Sequence, residues 1–180
     1  YFMKTVLLPR GARRGARNTK AVIWGLLNMP SHSHPKLDYN YITDGIYIGT
    51  NQCCQAHFDE RLIKKGISAD ISLEDQRLDA PFGVQFYIWI PVKNHTAPKS
   101  DQMSFGVSVL ERLSVLERRM YVHCKNGHGR APTLAADYLM KKRGISPAEA
   151  EGFIKSQRSS VHIEPVQRKA LVRFARSFVG

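Results

Sequence analysis

The chain is poor in cysteine, in long apolar runs and, over its first part, in acidic residues. Its three cysteines are an odd number and include the adjacent pair Cys53 and Cys54. That pattern excludes a disulfide scaffold and leads us to expect a reducing, cytoplasmic setting, with attachment to a membrane periphery left open. No apolar run reaches the roughly 18 residues that a spanning helix needs. Ala21 to Met29 is the nearest approach, and no cleavable secretory pattern precedes it. No side-chain set shows metal-ligand spacing: His32 and His34 stand alone, without a neighbouring cysteine. Neither a metal nor any other cofactor is therefore expected. Internal repeats are absent too.

What the chain has in excess is positive charge. Over 180 residues it carries a formal net charge of +12. Lys4, Arg10, Arg13, Arg14, Arg17, Lys20 and Lys36 all precede the first acid, Asp38. Residues 1–37 read as a basic N-terminal extension that ends in the linker-like segment Pro30 to Pro35. Residues 38–180 read as one folded domain. Three roles stay open for the extension: a solubilising arm, a nucleic-acid contact, or a weak contact with a membrane surface. Tyr1, Phe2 and Trp24 are too few for base stacking, so no nucleic-acid partner is expected. Arg13 to Lys20 followed by Ala21 to Leu27 has the make-up of a basic amphipathic helix, lying on the domain or on anionic lipid. The chain opens on Tyr1 and not Met, which leaves an upstream segment open.

Periodicity gives a coarse map. Tyr41 to Thr43 and Ile46 to Ile48 alternate as two short strands joined at Asp44-Gly45. Cys54 to Lys65 has helical spacing through Phe58, Leu62 and Ile63. Ala69 to Leu73 and Gln85 to Val92 are strands. Met103 to Arg119 is a helix with an apolar face at Phe105, Val107, Val109, Leu110, Leu113 and Leu116. A helix through Lys142 and two C-terminal helices follow. The first of those two opens on the capping box Ser146-Pro147-Ala148-Glu149. Strands alternating with helices predict an α/β fold: a single domain with a central, mostly parallel twisted sheet flanked by helices on both faces.

One segment carries chemistry. Met120-Tyr121-Val122 reads as the end of a buried strand and Pro132 to Ala136 as a helix start. Between them lies His123-Cys124-Lys125-Asn126-Gly127-His128-Gly129-Arg130. A strand–loop–helix turn aims backbone N–H groups and the positive end of a helix dipole at one point. A cysteine at its mouth is expected to favour the nucleophilic thiolate, and an arginine at its end can grip phosphate by two parallel hydrogen bonds. A Cys and an Arg six apart arise easily by accident in a basic chain. With glycine near 7% of average usage, requiring Gly127 and Gly129 as well lowers the chance expectation roughly two-hundredfold.

The pattern Cys-x5-Arg, preceded by His and set between strand and helix, resembles the signature of the cysteine-dependent protein tyrosine phosphatase superfamily, nearest to its dual-specificity branch. The likeness runs from about Asp38 to Phe178. The resemblance implies a protein tyrosine phosphatase-like catalytic domain over 38–180. It implies hydrolysis of phosphate monoesters through a cysteinyl-phosphate intermediate, with Cys124 as nucleophile. The amides of Lys125, Asn126, Gly127, His128, Gly129 and Arg130 and the Arg130 guanidinium would hold the phosphoryl group. His123 would sit behind the nucleophile, orienting the loop by hydrogen bonds. Some members of the superfamily trap the nucleophile as a reversible disulfide, which makes Cys53 or Cys54 a candidate partner for Cys124.

Two positions depart from that pattern. Ile90 to Pro98 resembles the loop that carries the general acid, but Asn94 stands where Asp is expected. An amide does not supply a proton at neutral pH. A substitution at 94, a neighbouring acid such as His95 or Asp101, or a slow or merely phosphate-binding pseudophosphatase are the open explanations. Ala131 takes the place of a Ser or Thr whose hydroxyl would assist breakdown of the phosphoenzyme, with Thr133 as a candidate stand-in. Lys125 and His128 resemble the basic loop positions of phosphatases that act on multiply anionic head groups. The expected partners are therefore a phosphorylated protein (phosphotyrosine or phosphoserine/threonine) or an anionic phospholipid or inositol phosphate.

Overall fold

A computed structural model of the chain describes residues 37–52, 58–79 and 81–177. The basic N-terminal extension up to Lys36, with its amphipathic segment, lies outside the described residues. So do Cys53 and Cys54, and with them the disulfide reading.

The apolar alternation produces five strands: β1 (Tyr39–Thr43), β2 (Ile46–Gly49), β3 (Ile67–Glu74), β4 (Phe86–Val92) and β5 (Arg119–His123). They form one sheet in the order β1-β2-β5-β3-β4. The β1–β2 hairpin is antiparallel, turning at Asp44 and Gly45, both with positive φ. All other pairings are parallel. The predicted α/β class and the mostly parallel sheet are what the structure contains.

Five helices complete the described residues: α1 (Glu60–Lys64), α2 (Ser100–Val115), α3 (Arg130–Arg143), α4 (Pro147–Gln157) and α5 (Pro165–Ser177). On one sheet face, Ala69, Ile71 and Leu73 of β3 and Met120 and Val122 of β5 join a core with residues of α2, α3, α4 and α5. On the other face, Tyr121 packs with Phe58, Leu62 of α1 and Ile67. Because strand side chains alternate in direction, His123 falls on this second face with Tyr121, and so do Asp70, Ser72 and Glu74. A row of buried polar groups thus underlies one side of the sheet.

The helix boundaries differ from the sequence map. Phe58 precedes the first helix, which begins at Glu60 after Asp59 caps it by accepting from the Arg61 amide. The helix placed at Met103 to Arg119 spans Ser100–Val115. Glu117 takes a positive φ that ends it, and Arg119 already belongs to β5. Its buried face is Met103, Gly106, Val107, Leu110 and Leu113, whereas Phe105 and Leu116 are exposed. Gly106 matters here because a Cβ there would lie 2.7 Å from Leu134, so α2 and α3 approach closely. The capping box at Ser146 forms as expected, with reciprocal bonds to Glu149.

Candidate active site

The loop from Cys124 to Gly129 leaves the C-terminal end of the central strand β5 and enters α3 at Arg130. Ligand sites of open α/β sheets lie at that end of the strands. Every carbonyl in the loop from Lys125 on is held from outside. The Asn51 amide donates to Lys125 at 3.1 Å. Arg158 Nη2 donates to Asn126 at 3.4 Å and its Nε to Gly127 at 3.3 Å. The His162 amide donates to His128 at 2.8 Å. Both the amide and the hydroxyl of Thr133 donate to Gly129 at 2.8 Å. None of the amides from Lys125 to Gly129 donates to another group among the described residues. They are left without an acceptor at the start of a helix, an arrangement that can hold an anion.

Gly127 is fixed by geometry as well as conformation. Its φ is +64°, and a Cβ would sit 2.4 Å from the Gly49 carbonyl oxygen. Cys124 is 3% exposed and lines a cavity of about 270 Å³ together with Lys125, His128 and Arg130. Arg130 is anchored through one nitrogen. Its Nη1 donates to the carbonyls of Leu73 (3.3 Å) and Val92 (2.8 Å) and to Asp75 Oδ1 (3.2 Å). Nε and Nη2 make no hydrogen bond among the described residues, so the free edge of the guanidinium is available for a bidentate grip.

His123 departs from expectation. It is fully buried and stacks on Tyr121 with ring centroids 5.4 Å apart. Its Nε2 lies 3.2 Å from Asp70 Oδ1 and 3.9 Å from Asp79 Oδ2. Neither ring nitrogen makes an aligned hydrogen bond. It does not orient the loop by hydrogen bonding. Burial pulls its pKa down, but Asp70, Asp79 and Glu74 outweigh that and the net direction is upward. The carboxylates around His123 thus favour its protonated form, in the residue directly before the nucleophile. Its neighbour His128 goes the other way: burial, Arg158 and His162 lower its pKa. The exposed Lys125 is the fixed charge of the rim.

The loop before α2 brings Asn94 and His95 to the cavity wall. The Lys93 carbonyl accepts from both the amide (3.1 Å) and hydroxyl (2.7 Å) of Thr96, closing a turn in which His95 has φ +59°. His95 Nδ1 lies 2.7 Å from Glu164 Oε1. The other two auxiliary candidates are not brought in. Asp101 is exposed in the first turn of α2, where its Oδ1 accepts from the Gln102 amide. The Thr133 hydroxyl is spent on Gly129.

Sequence reading missed His162, Glu164 and Gln167, which complete the cavity. They precede or open α5. Val161 and Ile163 are buried while His162 and Glu164 are not, an alternation that was visible in the chain. Gln167 accepts from the Glu164 amide at 2.9 Å and donates to the Thr96 carbonyl at 3.0 Å, tying the two walls together.

A mostly parallel α/β sheet with a cysteine–arginine loop at the C-terminal end of its central strand defines the class of protein. Residues 46–177 match the family model described as the dual specificity phosphatase catalytic domain, and the chain belongs to that family. It is 28% identical over 124 residues to the phosphatidylglycerophosphate phosphatase PTPMT2 of Arabidopsis thaliana, covering 64% of this chain and 54% of that one. It is 38% identical over 83 residues to the human phosphatidylglycerophosphatase and protein-tyrosine phosphatase 1, covering 46% and 41%. The chain therefore spans about half or less of the length of these relatives. Among solved structures, PTPMT1 in complex with PI(5)P has the same fold, with a TM-score of 0.68 at 23% identity over 78% of this chain and 96% of that one.

Proposed function

We propose that the chain is a Cys-based phosphoric monoester hydrolase that works through a cysteinyl-phosphate on Cys124. The observation that carries this reading is the outward capture of every carbonyl from Lys125 to Gly129. It leaves a bowl of amide donors above a cysteine and beside the free edge of Arg130. A transferring phosphoryl group spreads its charge over three equatorial oxygens, and pre-aimed donors stabilise that charge without reorganising. Cys124 Sγ attacks phosphorus, the bond to the leaving oxygen breaks, and that oxygen takes up a proton. Water then displaces the sulfur and releases inorganic phosphate.

For substrate we favour a monoester that carries further negative charge, a phospholipid or inositol phosphate head group ahead of a phosphorylated protein. Support comes from Lys125 on the rim, from the fixed Arg130, and from the names of the phosphatidylglycerophosphatase relatives. Contact of the N-terminal arm with an anionic membrane surface belongs to the same proposal.

Asn94 favours a second reading, a catalytically impaired pseudophosphatase that binds phosphorylated ligands. Release of p-nitrophenol from its phosphate ester in the presence of chelator separates the two. Turnover that disappears in Cys124→Ser supports the enzyme. Binding of phosphorylated ligands with no Cys124-dependent release leaves the binding module.

A further inference from the structure

We infer that His95, positioned by Glu164, is the proton donor and acceptor of this site, in the role that an aspartate at position 94 would fill. This role presupposes the phosphatase chemistry proposed for Cys124. Asn94 lines the cavity but its amide cannot exchange a proton usefully, so the proton must come from another group that reaches the same space. Among the three histidines of the cavity, His95 alone pairs with a carboxylate, at 2.7 Å.

The local backbone explains how it gets there. The turn closed on the Lys93 carbonyl needs a left-handed residue at 95, and histidine is among the few side chains that tolerate that region. With Nδ1 on Glu164, Nε2 stands on the far side of the ring, without a partner among the described residues. A carboxylate on one imidazole nitrogen fixes the tautomer and supports the imidazolium that donates from the other. Gln167 braces both partners, through the Glu164 amide on one side and the Thr96 carbonyl on the other. His95 is 75% exposed at its side chain, which leaves it room to approach a leaving group in the cavity mouth.

The chemistry balances. In the first step the Cys124 thiolate forms the P–S bond, the P–O bond to the leaving group breaks, and the leaving oxygen receives the Nε2 proton. His95 is then neutral. In the second step Nε2 takes a proton from water, the hydroxide oxygen bonds to phosphorus, and the P–S bond returns its electron pair to Cys124. Hydrogen phosphate leaves and the imidazolium is restored. Glu164 acts as a positioning residue.

The test compares single-turnover rates on an alkyl phosphate, whose alkoxide leaves poorly, with the first-turnover burst on p-nitrophenyl phosphate, whose leaving group needs no proton. His95→Asn keeps a residue that accepts the left-handed turn. We expect it to lose about a hundredfold on the alkyl ester while the p-nitrophenol burst changes little. Added imidazole should restore part of the loss, and so should Asn94→Asp in the same variant. Glu164→Gln should lower kcat on the alkyl ester with KM unchanged, and Glu164→Asp should recover it. Retained alkyl turnover in His95→Asn, or equal losses on both substrates without imidazole rescue, overturns the assignment. Absence of any Cys124-dependent turnover in the unaltered chain would overturn the phosphatase reading itself, a result distinguishable from either.

Discussion

Arg158 donates from Nε to the carbonyl of Gly127 across 3.3 Å, from a side chain only 1% exposed. The same guanidinium reaches Asn40 Oδ1 and Asp38 Oδ2, each at 2.9 Å. One residue beyond α4 thus ties the start of β1 to the Cys124 loop and holds two of its carbonyls.

Replacing Arg158 by Met fills the volume but removes every donor. The carbonyls of Asn126 and Gly127 would then be free to rotate inward, where they repel an anion. We expect inorganic phosphate to inhibit at least about tenfold more weakly, since hydrogen bonds to charged groups are worth about 1.5–3 kcal/mol. The melting temperature should fall by roughly 5 °C or more. Product-inhibition titration and calorimetry measure both; unchanged phosphate inhibition would show that the tether does not shape the loop.

Ala131 is buried directly after Arg130, and the nearby Thr133 hydroxyl donates to Gly129. Neither provides a hydroxyl to ease sulfur out of the phosphoenzyme. We expect a burst of leaving group followed by a slower steady state. In Ala131→Ser the steady-state rate should rise and the burst shrink. Stopped-flow release of p-nitrophenol decides it, and strictly linear release from the first turnover would count against the prediction.

The pairing of His123 with Asp70 makes stability depend on pH in a definite direction. The histidine's folded pKa is raised, because Asp70, Asp79 and Glu74 outweigh the downward effect of burial. A raised value means that the stabilisation is fully present below the ordinary histidine range and is lost as pH rises through the folded value. Asp70→Asn should therefore destabilise most at pH 6 and least at pH 9. Its His123 proton resonance should titrate at lower pH than in the unaltered chain. A penalty independent of pH would assign Asp70 a packing role alone.

Asp137 has the same pH sign but the opposite response to substitution. It is buried in α3 with Oδ1 lacking a partner, and burial raises its pKa from 3.8 to about 6, with Lys141 opposing. The neutral acid is favoured, so its contribution is complete below 3.8 and is lost as pH rises through about 6. Asp137→Asn should stabilise the fold above that range by on the order of 1–3 kcal/mol, with the gain fading toward pH 4. Melting curves across pH 4 to 8 test the slope.

Much of this was legible in the chain because it is local. The strand end, the paired glycines and the helix after Arg130 sit within one short stretch, and the Ser146 capping box and the Asp44-Gly45 turn are likewise contiguous. What escaped the sequence arrives from elsewhere in the fold. Arg158, His162, Glu164 and Gln167 reach the cavity only because the segment between α4 and α5 crosses the loop, and no periodicity encodes that crossing. Asp70 read as one more position in an apolar strand; its pairing with His123 depends on the register of β3 against β5. The α3 start was placed at Pro132 rather than Arg130 because Gly129 caps the helix without a side chain.

The near contact of Gly127 with Gly49 ties the fate of one loop to a strand far away in the chain. A Cβ on Gly127 would collide with the Gly49 carbonyl at 2.4 Å, and one on Gly49 would strike the Tyr121 hydroxyl at 2.2 Å. A single added methyl group at the tip of β2 would thus be felt at the nucleophile. In a saturation library, position 49 should be as intolerant as the cysteine loop itself, although no atom of it would ever touch a substrate.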